Sequence, residues 1–371
     1  MKKFKVAVYA ICKNESKNIK EWYHSMKEAD EIVVLDTGST DNSLNILKSF
    51  SKIKVYQEKI EPWRFDKARN TSLAYVSKDI DICVCTDIDE RFEKGWCNKL
   101  KSSWRKNTTR ARYLYNWSHD EQNHPLISYY ADKIHSRNEY EWIYPVHEVL
   151  KLKNDNILEN EVIIDGIVLN HYPDKQKSRS SYLKLLELSV KENPLDDRNM
   201  HYLGREYMFY KKWDKAILTL HKHLNLPSAK WKDERAASMR YIANSYYNKN
   251  FIEESIFWYK KAINEAPYLR EPYFDLAKLY LDRNNYNNVI MYLEKALMIK
   301  EKAITYITNE LAWNENIYDL LAVAYYYIEN YEKSLYYSEI AYKMNPENLR
   351  IKENFNLIKE KYEKEKEEVE F

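Results

Sequence analysis

Glycine is nearly absent from this chain: 4 residues in 371. That argues against a protein built mostly on tight β-turns. Neither GxGxxG nor GxxxxGKS/T occurs, so the common glycine-loop phosphate cradles are missing. No apolar run reaches the roughly 18 residues that a membrane span needs. Charge of one sign is lacking too: 59 basic and 57 acidic residues leave a net charge of +2, with no overall field to draw nucleic acid. The four cysteines (Cys12, Cys83, Cys85, Cys97) all lie early in the chain, and no second Cys or His pair at zinc spacing accompanies them. This reads as a reduced, cytoplasmic protein. The N-terminus has a short apolar run that leads into Lys13-Asn14-Glu15 without a small-residue cleavage site, so it reads as a first strand rather than a signal peptide.

What is abundant is tyrosine, at 34, within a hydrophobic content of 44%. A chain of this length predicts about two domains. The first half alternates short apolar runs with helical stretches. Strands are expected at residues 4–11, 31–35 and 53–57, with helices near 18–27 and 43–50 and a further helix capped by Asp66. This βαβα rhythm predicts a mostly parallel sheet. Two strands run into acids. One ends at Asp36, ahead of Thr37-Gly38-Ser39-Thr40-Asp41; the other, from Asp81, runs through Cys83 and Cys85 to Asp87-Ile88-Asp89-Glu90.

Acids after a parallel strand lie at the carboxyl edge of the sheet, where such folds bind ligands. On an extended backbone Asp87 and Asp89 point to the same side. With few cations beside them they would repel each other unless a hard divalent ion joined them, and Mg²⁺ or Mn²⁺ on oxygen ligands commonly holds a diphosphate. A solvated strand end or a helix cap would use the same residues. An Asp at a strand end, such as Asp36, accepts equally well from a base N–H, a ribose hydroxyl or a helix terminus.

Taken in order, Asn14-Glu15, Asp36-Thr37-Gly38-Ser39-Thr40-Asp41, Phe65 with Ala68-Arg69-Asn70, and Asp87-Ile88-Asp89-Glu90 resemble the nucleotide-sugar half of a family 2 glycosyltransferase with the GT-A fold. The resemblance covers residues 4–175. It implies that Asp36 contacts the base, that Arg69 lies near the nucleotide, and that Asp87 and Asp89 bind ribose and a divalent metal. Strands are expected at residues 110–118 and 128–135, pairing antiparallel. The Trp142–Leu150 stretch departs from the Glu-Asp pattern of many family members. Its Val146-His147-Glu148 looks like the motif of a subgroup that often carries helical repeats. An inverting transfer needs a carboxylate to take the acceptor's proton. Glu148 is the candidate base, with a surface strand-end glutamate as the alternative, and His147 would orient it or meet the acceptor. His171, at the end of a strand over 162–171, matches the late histidine that serves many GT-A enzymes as a third metal ligand. Trp63, Trp117 and Trp142 are candidate sugar platforms, with core packing as the alternative.

Beyond residues 173–178 the β pattern vanishes, placing a GT-A domain at 1–175 and a helical repeat domain at 176–371. Small residues fall at Gly204, Ala243, Ala277 and Ala322, with tyrosine three later each time, at Tyr207, Tyr246, Tyr280 and Tyr325. Twelve after the first set come Ala216, Ser255, Val289 and Ser334. Nineteen after it come His223, Ala262, Ala296 and Ala341. The interval from Ala243 to Ala277 is 34, the tetratricopeptide period; the flanking intervals of 39 and 45 imply inserts of 5 and 11. His223 and Val289 depart from the pattern. The tail over 359–368 mixes Lys and Glu and reads as a solvated capping helix.

The expectation is therefore a cytoplasmic, metal-dependent, inverting glycosyltransferase using a UDP-linked donor. The acceptor would be a peptide, protein or glycan, as the resemblance to sublancin-type peptide glycosyltransferases and to glycan-building enzymes implies. The repeats would form a groove for it, a homodimer surface or a rigid spacer. The alternative is a non-enzymatic scaffold whose first domain only binds a nucleotide.

Overall fold

The computed structural model describes residues 4–120, 122–174 and 181–369. The chain forms two compact units. One takes the residues up to Asn193 together with Ile304–Tyr306; the other takes Pro194–Ala303 and the residues from Ile307 on. The change of sequence pattern comes earlier, at 175/176. Residues 175–178 of the expected junction lie outside the described residues.

The first unit opens with β1 (Val6–Cys12), α1 (Ile19–Met26), β2 (Glu31–Asp36), α2 (Ser43–Ser49), β3 (Ile53–Gln57), α3 (Phe65–Ala74) and β4 (Ile82–Thr86). It continues with β5 (Glu90–Phe92), α4 (Trp96–Ser103), β6 (Arg110–His119), β7 (Pro125–Ser136), β8 (Tyr140–Ile143), β9 (Val149–Leu152), β10 (Glu161–His171) and α5 (Tyr182–Glu192). Eight strands form one sheet in the order β3-β2-β1-β4-β7-β6-β10-β5, while β8 and β9 make a separate hairpin. The first four strands of that order are parallel. Beyond them β7 runs antiparallel to both β4 and β6, and β10 is parallel to β6 but antiparallel to β5. The sheet is mixed, and the parallel part is the half that the βαβα rhythm predicted.

The unbroken apolar runs of β1 and β4 follow from burial on both faces. Side chains alternate: Val6, Val8, Ala10, Ile82 and Val84 join one core with Trp22 of α1 and Trp96 of α4, while Ala7, Tyr9, Cys83 and Cys85 join the core on the other face with Trp142. Cys83 and Cys85 thus act as small apolar residues. Asp66 departs from expectation. It lies in the first turn of α3, paired with Arg64, whose backbone is extended, instead of capping the helix.

The second unit is all α. Its helices are α6 (Asp197–Phe209), α7 (Trp213–Asn225), α8 (Lys232–Asn248), α9 (Ile252–Glu265), α10 (Glu271–Asp282), α11 (Tyr286–Met298), α12 (Asn316–Tyr327), α13 (Tyr331–Met344) and α14 (Leu349–Val369). They pack as successive antiparallel pairs followed by a closing helix, a tetratricopeptide-like solenoid. The three sets of small positions are buried in all four pairs, with His223 and Val289 as buried as the alanines they replace. The turns share a feature that no spacing rule exposed. Lys211, Asn250, Asn284 and Glu329 all adopt left-handed backbone, each seven residues after the first small position. Each pair of helices thus turns through the same strained residue.

At Gly204 α6 packs tightly against α7: a Cβ there would lie 2.4 Å from Leu220 Cγ. Alanine favours a helix over glycine by about 1 kcal/mol, yet overpacking costs about 1–3 kcal/mol. Gly204→Ala is therefore expected to lower the urea midpoint, read by helical circular dichroism. A raised midpoint would show that α6 and α7 can part without penalty.

Candidate active site

The parallel strands β1, β2 and β4 end side by side, with Cys12 opposite Asp36 and Ala10 opposite Thr86. The loops that follow are stapled together. Asn14, in left-handed conformation, accepts from Thr40 N at 2.7 Å, while Asn14 N donates to Ser39 Oγ and Glu15 N to Ser43 Oγ. Asp41 accepts from Ser43 N and Ser16 N. Its slight burial works to raise the carboxyl, but those hydrogen bonds outweigh it and hold it at about 2. Asp36 is 2% exposed. Its Oδ1 accepts from Gly38 N and Ser39 N at 3.1 and 3.0 Å, and its buried Oδ2 has no hydrogen-bond partner among the described residues. A buried carboxylate oxygen without a donor is costly.

The acid stretch after β4 is a turn. Thr86 ends the strand, Glu90 N donates to Asp87 O, and Glu90 starts β5. The expectation that Asp87 and Asp89 share one side of an extended strand is therefore corrected. So is the expectation of few nearby cations. Asp87 Oδ1 accepts from Arg69 Nη2 at 2.8 Å and Oδ2 from Lys133 Nζ at 3.2 Å. Burial works against the Asp87 charge, but Arg69 first and Lys133 second hold its carboxyl below the usual carboxylate range. Both cations come from elements far away in sequence, α3 and β7.

Arg69 is the centre of this network. It is 5% exposed; its Nε donates to Glu148, its Nη1 lies 3.1 Å from Cys85 Sγ, and its guanidinium sits 5.3 Å from the Trp142 ring centroid. Glu148 and His147 lie between β8 and β9, on a segment bent by left-handed Tyr144 and His147 and tied to α3 where Phe65 N donates to Pro145 O. The His147 ring stands 5.9 Å from Tyr182. Glu90, which the sequence did not single out for a role, is buried: its Oε2 accepts from Asp87 N and its Oε1 from Lys133 Nζ. Burial pushes the Glu90 carboxyl up against the pull of Lys133. Lys133 was missed because one lysine in an alternating strand gives almost no signal.

His171 reaches the site because the end of β10 pairs with β5, setting His171 opposite Glu90, and because Tyr172 N donates to Asp89 O at 2.8 Å. His171 Nε2 lies 3.5 Å from Asp89 Oδ2, and its Nδ1 is 3.0 Å from Trp117 O. Burial alone would lower the His171 imidazole, but Asp89 overrides it and raises it. A backbone carbonyl on Nδ1 that leaves Nε2 beside a carboxylate is how proteins orient a metal-binding histidine. Arg91 stands there too, its Nη1 donating to Asp89 O at 3.0 Å. The residues fit a divalent ion at Asp89 and His171, with Asp87 already bound to protein cations. Of the candidate platforms, Trp142 is core, donating from Nε1 to Tyr9 Oη, while Trp117 is 42% exposed beside His171.

A mixed α/β sheet whose carboxyl edge carries a buried acid, an acid turn and a late histidine has the layout of an α/β ligand-binding domain. Residues 7–158 match the family described as "Glycosyl transferase family 2", so the first unit carries a family 2 glycosyltransferase domain. The chain is similar to the "SPbeta prophage-derived glycosyltransferase SunS" of Bacillus subtilis (strain 168). It is equally similar to the "Glycosyltransferase SunS" of Bacillus phage SPbeta. In each case identity is 26% over 301 residues, covering 76% of this chain and 60% of the relative. The chain thus spans about 60% of the length of the curated relatives it matches. Among solved structures, MamA superposes on 48% of this chain and 99% of its own at TM-score 0.37 and 17% identity. A thermophilic tetratricopeptide protein of Thermus thermophilus superposes on 48% and 89% at TM-score 0.35 and 16% identity.

Removing the central cation should take the Arg69 partner from Glu148 and leave Asp87 with Lys133 alone. Breaking a buried pair costs about 3–5 kcal/mol. Asp87 keeps about a third of its side chain in solvent, so Arg69→Met is expected to cost nearer 3 kcal/mol near neutral pH. Asp87 in the parent stays charged below the ordinary carboxylate value of about 4, whereas in the variant, without Arg69, Asp87 takes up its proton earlier on acidification. The difference between the two proteins should therefore shrink as pH falls toward that value. Urea unfolding at several pH values checks this, and a pH-independent difference would remove the charge explanation.

Proposed function

We propose that this chain transfers a sugar from a nucleotide-diphosphate donor, with UDP as the expected nucleotide, to an acceptor with inversion at the sugar carbon. The observation that carries this reading is the meeting of Asp89 with His171 at the sheet's carboxyl edge. Asp36 accepts from the base through its unmet Oδ2. Arg69 and Lys133 neutralise Asp87, which is then set to accept from ribose hydroxyls. Asp89 and His171 would hold Mn²⁺ or Mg²⁺, which when bound supplies positive charge to the departing diphosphate. Glu148 is the carboxylate we assign as base; Arg69 grips one of its oxygens, and the other takes the acceptor's proton. His147 lies on the acceptor side of the same segment.

The acceptor is a hydroxyl or thiol on a peptide, protein or glycan, and the helical repeats supply a surface of the kind that holds an extended polypeptide. All four cysteines are buried free thiols, which fits a reducing compartment, and we assign the chain to the cytoplasm. No helix among the described residues is long and apolar enough to cross a membrane. A scaffold that binds a nucleotide without turnover is the competing reading, and turnover separates the two.

Two experiments test these assignments. Calorimetric titration of UDP should show binding with Mn²⁺ that chelator abolishes in the parent and that Asp89→Asn abolishes outright. Binding indifferent to both would remove the metal–nucleotide assignment. Glu148→Gln should cost about 10²–10⁴-fold in turnover with UDP affinity nearly unchanged. A matching loss of UDP affinity would make Glu148 a clamp on Arg69 and not the base.

A further inference from the structure

The first helical repeat departs from the others in what it buries. Where the later pairs place Ala262, Ala296 and Ala341, it places His223, and one turn before Gly204 it places His201. His201 on α6 and His223 on α7 are fully buried, and Glu234 on α8 is 5% exposed. One ligand atom from each of the three lies within 4.8 Å of the others. Ser238, also on α8 and fully buried, sits against both rings: its Oγ is 2.7 Å from His201 Nδ1 and 2.9 Å from His223 Nδ1. His223 Nε2 is 3.3 Å from Glu234 Oε1. Neither His201 Nε2 nor His223 Nε2 has a hydrogen-bond partner among the described residues.

The hydrogen-bond inventory makes this arrangement informative. A serine oxygen has two lone pairs and so accepts from two imidazole N–H groups at once. If both Nδ1 atoms donate to Ser238, both Nε2 atoms carry lone pairs, and a carboxylate stands beside one of them. Two imidazoles and a carboxylate, their far nitrogens steadied by one hydroxyl, make a ligand set typical of zinc, complete but for a fourth position. Hydrophobic packing explains none of it, because the other repeats fill the His223 position with alanine.

We propose that His201, His223 and Glu234 bind a divalent transition metal of the zinc class that ties α6, α7 and α8 together at the start of the repeats. This site is separate from Asp89 and His171 and does not depend on the glycosyltransferase reading. Metal binding here would contribute directly to the stability of the first repeat.

The test uses the full chain carrying Asp89→Asn and His171→Ala, so that the N-terminal site adds nothing. The protein is loaded with Zn²⁺, desalted and assayed for metal by emission spectrometry. One retained equivalent is expected, with a lower melting temperature after chelation. Glu234→Gln should lose that equivalent, and Ser238→Ala should bind zinc about 10–100-fold more weakly. Circular dichroism confirms that each variant is folded. If Glu234→Gln does not fold, the Co²⁺-loaded parent decides: intense visible bands of a four-coordinate ion support the site, while weak six-coordinate bands or no retained cobalt overturn it. Equal zinc in the parent and Glu234→Gln, or none in the parent, also overturns it.

Discussion

A single guanidinium organises the first unit's active edge. Arg69 is almost wholly out of water, and what makes that tolerable is the company it keeps: Asp87 on one side, Glu148 on another, the Trp142 face and the Cys85 sulfur. A buried charge is stable only when paired and hydrogen-bonded. The partners come from β4 with the turn after it and from the β8–β9 hairpin, so the ion binds these two to α3 in one arrangement. Lys133 does the same for Asp87 and Glu90 from β7. The acids that the chemistry requires are thus held by cations that the fold requires.

The repeats rest on a different constraint, close approach of helices. The small positions are buried in every pair, and the left-handed turn recurs at the same offset. Steric fit, repeated at a fixed period, needs no ion pair to set its register. The first repeat is the exception, with a polar cluster around His223 where its successors have alanine.

These two kinds of constraint explain what could be read from the sequence. Contiguous patterns were legible: β2 and β3 lie where the apolar runs predict, β6 and β7 pair antiparallel as expected, and the tyrosine and alanine spacing marks the helix pairs. Asp36, Asp89 and His171 stand at the carboxyl edge because each follows or ends a strand that the pattern reveals. What the pattern hid was pairing across distance. Nothing local in Ala131–His135 says that Lys133 meets Asp87, and nothing in Asp87-Ile88-Asp89 says that the chain turns there instead of continuing the strand. Trp142 and Trp117 look alike in sequence, yet one holds up Arg69 from within the core and the other faces solvent.

The order of strands in the sheet has a consequence for how the protein is made. Residues 90–92 form β5, which pairs with β10 alone, and β10 is the last strand of the sheet in the chain. As the polypeptide emerges, α1, β1, β2 and β4 can assemble early, each beside a neighbour already made. The acid turn cannot gain its strand partner until Leu169–His171 arrive. This edge is therefore closed by its final strand: a nascent chain can own a finished parallel sheet while its Asp89 still lacks His171 beside it.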